Sequence, residues 1–286
     1  MNNIAIIHHN DPDGRMSAVI VEEYYRKKLS NYVYIDMIEM DYAKADNFDT
    51  SIIKEDQIVV IVDFSFRPHQ MREIEKNCEH LIWIDHHITC KDYGLEDLEG
   101  LRDFEEKKFS GCELTWMYFN PLTIMPKAVR LIGDYDCWRL AEEEISKPFI
   151  GAINGVKYWR EEYVPLLTLG DEKETEDLII KGKTIAEFKN TYCEDLCNSY
   201  GYETDFEGHR MFVSNQYRFG SMGFGNRLNE YDALIAFIFD GDDFTISLYS
   251  EKIDVSVICK KYNGGGHKGA AGFHCKELPF KKAQNV

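Results

Sequence analysis

Apolar runs long enough to cross a bilayer are missing from this 286-residue chain; no stretch approaches the roughly 20 residues a spanning helix needs. Cysteine pairing is missing too. The eight cysteines are scattered without C-x-x-C spacing, which speaks against a thiolate zinc site or a disulfide framework. Cys193 and Cys197 share one helix face at i,i+4, but no matching His or Cys pair stands nearby, so they read as partly buried free thiols. The opening MNNIAIIHHNDPDG carries neither a basic leader nor a long apolar signal core, and a reducing cytoplasm is the expected setting. Positive charge is scarce: 33 Lys and Arg stand against 50 Asp and Glu, for a formal charge of −17. That balance opposes binding to long polyanionic nucleic acid, duplex above all, because phosphate neutralisation by Lys and Arg supplies most of that affinity. Bound divalent cations would reverse the sign locally, so a small phosphorylated ligand stays compatible. Internal repeats and low-complexity segments are absent as well.

What is present suits an α/β protein of two lobes. Apolar residues make up 44%, with 17 Tyr and 17 Phe to fill a core, and the length allows two modest domains. NIAIIHH reads as a short buried strand and Arg15 to Ser30 as a helix with Met16, Val19, Ile20 and Tyr24 inward. YVYIDMI, QIVVIVDF and LIWIDHH supply three more strands, with a helix opening at Pro68 before the last. Strands alternating with helices predict a mostly parallel sheet, whose ligands collect beyond the carboxyl ends of the strands. Ser110 and Glu113 have capping-box spacing, and a further helix leads into Gly133-Asp134. A long charged helix spans Asp171 to Tyr200, with Ile185, Phe188, Tyr192, Leu196 and Tyr200 on one stripe and Gly201 at its end. RMFVSN, ALIAFIF and FTISLYS then read as strands, with a helix over 221–229 and another, VSVICKKY, capped by Asp254. The expected domains are 1–155, a helical connector over 156–204, and a smaller α/β domain over 205–286.

Four polar clusters stand at the ends of these elements. In HHNDPDG, His9, Asp11 and Asp13 can face one side of a turn shaped by Pro12 and Gly14, either as metal ligands or as an Asx-turn capping the next helix. His8 points the other way along its strand, into the core. Asp63 follows an apolar run, where a carboxylate must be capped, paired or metal-bound. Asp85-His86-His87 allows one imidazole to ligate metal while the other meets substrate. Asp134 and Asp136 flank Tyr135, and one of the two is expected to cap a turn. Finally, Asn263 to Gly269 carries three successive glycines beside His267 and Lys268, either an ordinary turn or a phosphate cradle. Together these clusters point to a two-metal hydrolase.

The ordered set HNDPDG, VDFS, IDHH and IGDYD, followed by SLYS and NGGGHKGAAGF, resembles the DHH phosphoesterase superfamily with its C-terminal DHH-associated domain, over nearly the whole chain. Its RecJ-like and nanoRNase-like members are the nearest in pattern. The resemblance implies that His9, Asp11, Asp13, Asp63, His86 and Asp134 hold two Mn²⁺, with Mg²⁺ or Co²⁺ as substitutes and Asp63 as the bridge. It implies that His87 faces the scissile phosphate, that Asp85 orients the histidines, and that Gly264, Gly265, Gly266 and His267 grip the substrate's phosphate end. Two positions depart from the nanoRNase-like pattern: Arg15 replaces an acid, with Asp11 compensating, and Tyr249 replaces an arginine, so it is expected to stack on a base instead. The implied activity is hydrolysis of short single-stranded oligonucleotides or related nucleotide diesters by a two-metal-activated hydroxide. The alternatives are a bisphosphonucleotide phosphatase or pyrophosphatase, and an inactive nucleotide-binding scaffold. A homodimer is compatible with this reading; a membrane partner is not expected.

Overall fold

Apolar residues run unbroken through the strands of the first half because both faces of their sheet are covered. The computed structural model describes residues 2–29, 33–157, 159–170, 172–217 and 219–283, in two compact units that divide between Ile185 and Ala186. The first unit runs β1 (Asn2–His9), α1 (Pro12–Leu29), β2 (Val33–Met40), α2 (Tyr42–Ala45), β3 (Gln57–Val62), α3 (Pro68–Asn77) and β4 (His80–Ile84). It continues with α4 (Gly111–Phe119), α5 (Lys127–Asp136), α6 (Glu143–Ile153) and α7 (Trp159–Tyr163). Its sheet has the order β2-β1-β3-β4, parallel throughout. Ile4, Ile6, Val60, Val62, Ile82 and Ile84 pack one face against α1, α4 and α5, while Ala5, Ile7, Val59, Ile61, Leu81 and Trp83 pack the other beside Met71 and Ile74 of α3. Each fully buried aliphatic side chain contributes about 1.5–3 kcal/mol.

Because β1, β3 and β4 are parallel and in register, with His8 opposite Val62 and Val62 opposite Ile84, their carboxyl ends emerge together. The next residues along the chain, His9, Asp63 and Asp85, therefore share one rim. A long helix, α8 (Lys173–Tyr200), runs through the boundary into the second unit. That unit holds β5 (Tyr202–Phe206), β6 (His209–Asn215), α9 (Arg227–Glu230), β7 (Ala233–Phe239), β8 (Phe244–Tyr249), α10 (Val255–Lys261), β9 (Gly265–His267) and β10 (Ala270–Cys275). Its sheet has the order β5-β6-β7-β8-β10-β9, antiparallel except for β6 and β7. Val255, Ile258 and Cys259 of α10 pack on Ile235, Ile246 and Leu248.

Several sequence expectations are amended. Helix α1 starts at Pro12 rather than Arg15, because the Asp11 carboxylate caps the Gly14 N–H. The stripe on α8 is displaced: Phe188, Tyr192 and Tyr200 are 69%, 50% and 75% exposed, while Cys193 and Cys197 are buried. Cys197 is small enough to bring the helix against Phe212 and Phe224. The helix expected over 221–229 breaks into a 3-10 turn at Ser221–Phe224 and the short α9, since Gly225 between them takes φ 58°. Strand β5 was not anticipated. Ser30, Tyr32 and Asp171, where expected elements begin or end, lie outside the described residues. No helix among the described residues is long and apolar enough to cross a membrane.

Helix α8 approaches α6 so closely that a Cβ at Gly182 would lie 1.8 Å from the Pro148 carbonyl oxygen, whereas one at Gly151 would meet nothing within 4 Å. Gly182→Ala should therefore cost about 1–3 kcal/mol through overpacking. Gly151→Ala should be neutral or gain up to about 1 kcal/mol. Urea unfolding followed by tryptophan fluorescence reads this in the first unit, which holds all four tryptophans; equal midpoints for the two variants would contradict the packing.

Candidate metal centre

The rim is built from α1 and its neighbours. Asp11 is the residue before α1; its Oδ1 accepts the Gly14 N–H at 2.9 Å, and its Oδ2 lies 2.6 Å from His9 Nδ1. A Cβ at Gly14 would sit 2.4 Å from the His9 carbonyl oxygen, so only glycine lets the helix begin this close to the strand. Asp13 is buried in the first turn, where its two oxygens accept the N–H groups of Gly111 at 2.7 Å and Cys112 at 2.9 Å. These are the first residues of α4, whose free N–H groups and dipole favour a carboxylate. Ser110 and Glu113 form the expected capping box there. Arg139 in turn holds Glu113 through two bonds of 2.9 and 2.8 Å.

Asp63 sits just past β3 with φ 52°, a left-handed conformation that costs a non-glycine residue about 1–3 kcal/mol. Its side chain is buried, and neither carboxylate oxygen has a hydrogen-bond partner among the described residues. Around it stand His86 Nε2 at 3.2 Å, His9 Nδ1 at 3.9 Å and His87 Nδ1 at 3.9 Å. Burial, with the nearby charges of Asp13, Asp11, Asp136 and Asp85, drives this carboxyl well above the usual range. A buried acid without partners is tolerated only when a proton or a cation balances it.

Asp85 is also buried, yet fully engaged. It accepts the Ser65 hydroxyl at 2.5 Å and the His86 N–H at 2.8 Å, and it lies 2.7 Å from His87 Nδ1. Burial works to raise this carboxyl, but the hydrogen bond and charge of His87, with Ser65, hold it below the usual range. For His87 burial opposes protonation and the Asp85 contact outweighs it, pushing the imidazole up to about 9.

Helix α5 delivers Asp136, and not Asp134, to the cluster. Both Asp134 oxygens accept backbone N–H groups, from Ala141 at 2.8 Å and Glu142 at 3.2 Å, so this residue is the turn cap. Asp136 keeps an edge exposed to solvent, yet its Oδ2 lies 3.4 Å from His86 Nε2, and desolvation of the carboxyl on its rim side, with the Asp13 and Asp11 charges, pushes it up to about 8. Cys137 stands beside it. In a helix, positions i and i+2 point in nearly opposite directions, so only one of the pair can face the rim.

The grouping fits a divalent metal. Three sets of donors each fall within 4.8 Å of one another: His9, Asp11 and Asp63; Asp63, His86 and His87; and His86, Asp136 and Cys137. Asp63 belongs to two of them, as a bridging ligand would. The mixed nitrogen and oxygen donors suit Mn²⁺ or a related transition ion better than Ca²⁺, and the orphaned Asp63 oxygens are acceptors that a cation would satisfy. Asp13 lies close, at 3.6 Å from His86 Nε2, with its oxygens already bonded to α4. Sequence reasoning gave no role to Ser65, although it closes the VDFS motif, nor to Cys137, which directly follows IGDYD.

The residues expected to bind substrate lie in the second unit. The glycine run is partly an edge strand: Gly265 and Gly266 belong to β9, and His267 ends it, exposed. A Cβ at Gly264 would meet the Gly272 oxygen at 2.1 Å, and Gly266 has φ 137° with Ala271 Cα 2.6 Å from its would-be Cβ, so the hairpin itself requires both. Only Gly265 is open. Tyr249 ends β8, half-buried, its ring 6.5 Å from that of Phe224.

Residues 3–135 match the family model described as the DHH family, N-terminal domain. An uncharacterized protein of Acanthamoeba polyphaga mimivirus is 26% identical over 305 residues, taking in 99% of this chain and 70% of that protein. Among solved structures, the pGpG-specific phosphodiesterase PggH from Vibrio cholerae is similar at a TM-score of 0.56 and 9% identity, over 96% of this chain and 93% of that one. Exonuclease RecJ bound to manganese is similar at a TM-score of 0.52 and 15% identity, over 95% and 85%. At these identities the structural likeness concerns the fold.

Two outcomes test the centre. Asp134→Ala should cost about 1–2 kcal/mol of stability, as loss of a cap does, and leave Mn²⁺ uptake intact. Asp136→Ala should fold as well as the parent and bind Mn²⁺ about tenfold or more weakly by titration calorimetry; the reverse pattern would restore Asp134 as the ligand. The second outcome concerns pH. Asp136 titrates near 3.8 when unfolded and about 8 when folded, and Asp63 is raised too, so the metal-free protein loses their stabilisation as pH rises through this window. Bound Mn²⁺ would replace those protons. Its stabilisation, about 2.7 kcal/mol at a hundredfold excess over Kd, should raise the melting temperature more at pH 8 than at pH 6, and an equal or smaller rise would contradict the assignment.

Proposed function

We propose, from the match of residues 3–135 to the DHH-family N-terminal-domain model and from the geometry of the rim, that the protein is a Mn²⁺-dependent phosphodiesterase acting on short single-stranded oligonucleotides or related nucleotide diesters. The observation that carries this reading is the buried Asp63 carboxylate, without a hydrogen-bond partner among the described residues and ringed by His9, His86 and His87. His9, Asp11, Asp63, His86 and Asp136, with Asp13 beside them, would hold two ions, Asp63 serving both. When bound, such a pair activates water as a nucleophile and offsets charge on the phosphoryl oxygens.

The chain's own residues do the rest. Asp85 fixes His87 by its Nδ1, leaving Nε2 as the outward nitrogen. In the metal-free protein the Asp85 contact favours the protonated form of His87, and Nε2 is the nitrogen from which a proton would pass to the departing oxygen. Asp13 ties the rim to α4 so that His9 and Asp11 keep their positions, which matters where geometry and electrostatics supply most of the barrier reduction. In the second unit, the exposed His267 and the open space beside Gly265 would admit the substrate's phosphate end, and Tyr249 would offer a ring for a base. The net charge of −17 favours a short ligand over a long polyanion. The fold likeness to a pGpG-specific phosphodiesterase agrees with a dinucleotide-sized diester.

Incubation with a dinucleotide, longer RNA, single-stranded DNA and 3′,5′-bisphosphoadenosine in Mn²⁺ separates the readings. The dinucleotide should be hydrolysed fastest. Asp85→Asn should lower its turnover about 10–100-fold, as loss of a group orienting a ligand does, and Asp63→Ala by more. Hydrolysis of the bisphosphonucleotide alone would make the protein a monoesterase, and no turnover by a Mn²⁺-loaded protein would make it a binding scaffold.

A further inference from the structure

On the face of the second sheet opposite α10 lies a cavity of about 140 Å³, lined by Gln216, Phe219, Ala236, Thr245, Ser247 and Tyr249 among others. Strand alternation builds it. Ala236 pairs with Ser247 and Leu234 with Tyr249 in the β7–β8 ladder, while Ile235, Ile246 and Leu248 turn to the α10 side. Just past β6, Gln216 is only 6% exposed, and both its amide nitrogen and its amide oxygen lack a hydrogen-bond partner among the described residues. Leaving either atom unmet costs about 1–3 kcal/mol. The side chain is nonetheless specifically accommodated: a Cβ at Gly223 would lie 2.5 Å from Gln216 Oε1, so a glycine there makes its room.

A buried amide offers one acceptor beside two donors, which matches the edge of a nucleobase carrying an amine next to a ring nitrogen. The volume is below the roughly 300–1,000 Å³ of pockets that enclose a whole drug-sized ligand, so it suits one planar ring system rather than an entire nucleotide. Tyr249 and Phe219 line the same space, and aromatic faces attract bases. Resting on the reading of the substrate as a nucleotide diester, we propose that this cavity is a nucleobase subsite in which Gln216 reads the amine edge of the base. The base amine donates to Oε1, the neighbouring ring nitrogen accepts from Nε2, and Tyr249 and Phe219 supply the apolar contact.

Adenine is the test case. Calorimetric titration of the full chain with adenosine, with ribose and with purine riboside, which is adenosine without its amine, requires neither metal nor turnover. Adenosine should bind, ribose should not, and purine riboside should bind about tenfold more weakly, the scale of half to one bidentate contact. Gln216→Leu should lose about the same factor for adenosine and should no longer distinguish it from purine riboside. If that variant melts early, the comparison of the two nucleosides on the parent protein decides alone. Equal affinity of the parent for the two nucleosides, or no adenosine binding, overturns the subsite. Adenosine binding of the expected pattern in a protein that hydrolyses no nucleotide diester would sink the phosphodiesterase reading and leave the subsite standing.

Discussion

The first unit depends on one uncompensated group, the Asp63 carboxylate. It is buried at the end of a parallel strand, its backbone is in a left-handed conformation, and no described donor satisfies it. Strain and desolvation at one residue of this kind together cost several kcal/mol. Its neighbours aggravate the cost, since Asp11, Asp13, Asp85 and Asp136 all bring negative charge toward it. A fold that gathers five acids at one rim is organised around something positive.

The remaining structure keeps those groups from relaxing apart. Parallel register brings three strand ends level, so His9, Asp63 and Asp85 meet without a long loop. The N-terminus of α4 holds Asp13, the capping box holds that terminus, and the Arg139 guanidinium holds the box. Glycines at 14 and 111 permit the approach: a Cβ at Gly111 would lie 2.5 Å from that of Asp63. Ser65 and the backbone of His86 fix Asp85, which fixes His87. The rim is thus preorganised by neutral and charge-assisted hydrogen bonds reaching outward from it.

Much of this was legible in the sequence because it rests on short-range pattern. Apolar runs ending in His9, Asp63 and Asp85 mark strand ends, and Ser110 with Glu113 marks a helix start, so the parallel lobe and most of the rim followed from local chemistry. The choice between Asp134 and Asp136 did not, because spacing says that one of them faces away without saying which; the turn at Ala141 and Glu142 decides it. On α8 the bulky stripe misled, since the packed side is the one whose thiols let the helix sit close. Gln216 carries no motif at all, and its isolation is visible only once β7 and β8 are placed beside it.

Anomalous scattering at the manganese edge, from crystals of chelator-stripped protein soaked in Mn²⁺, reads the central claim most directly. The account predicts two manganese peaks that share the Asp63 carboxylate, one toward His9 and Asp11 and the other toward His86 and Asp136. A map with no peak at Asp63, or with the ions bound elsewhere while its oxygens stay unmet, would contradict it.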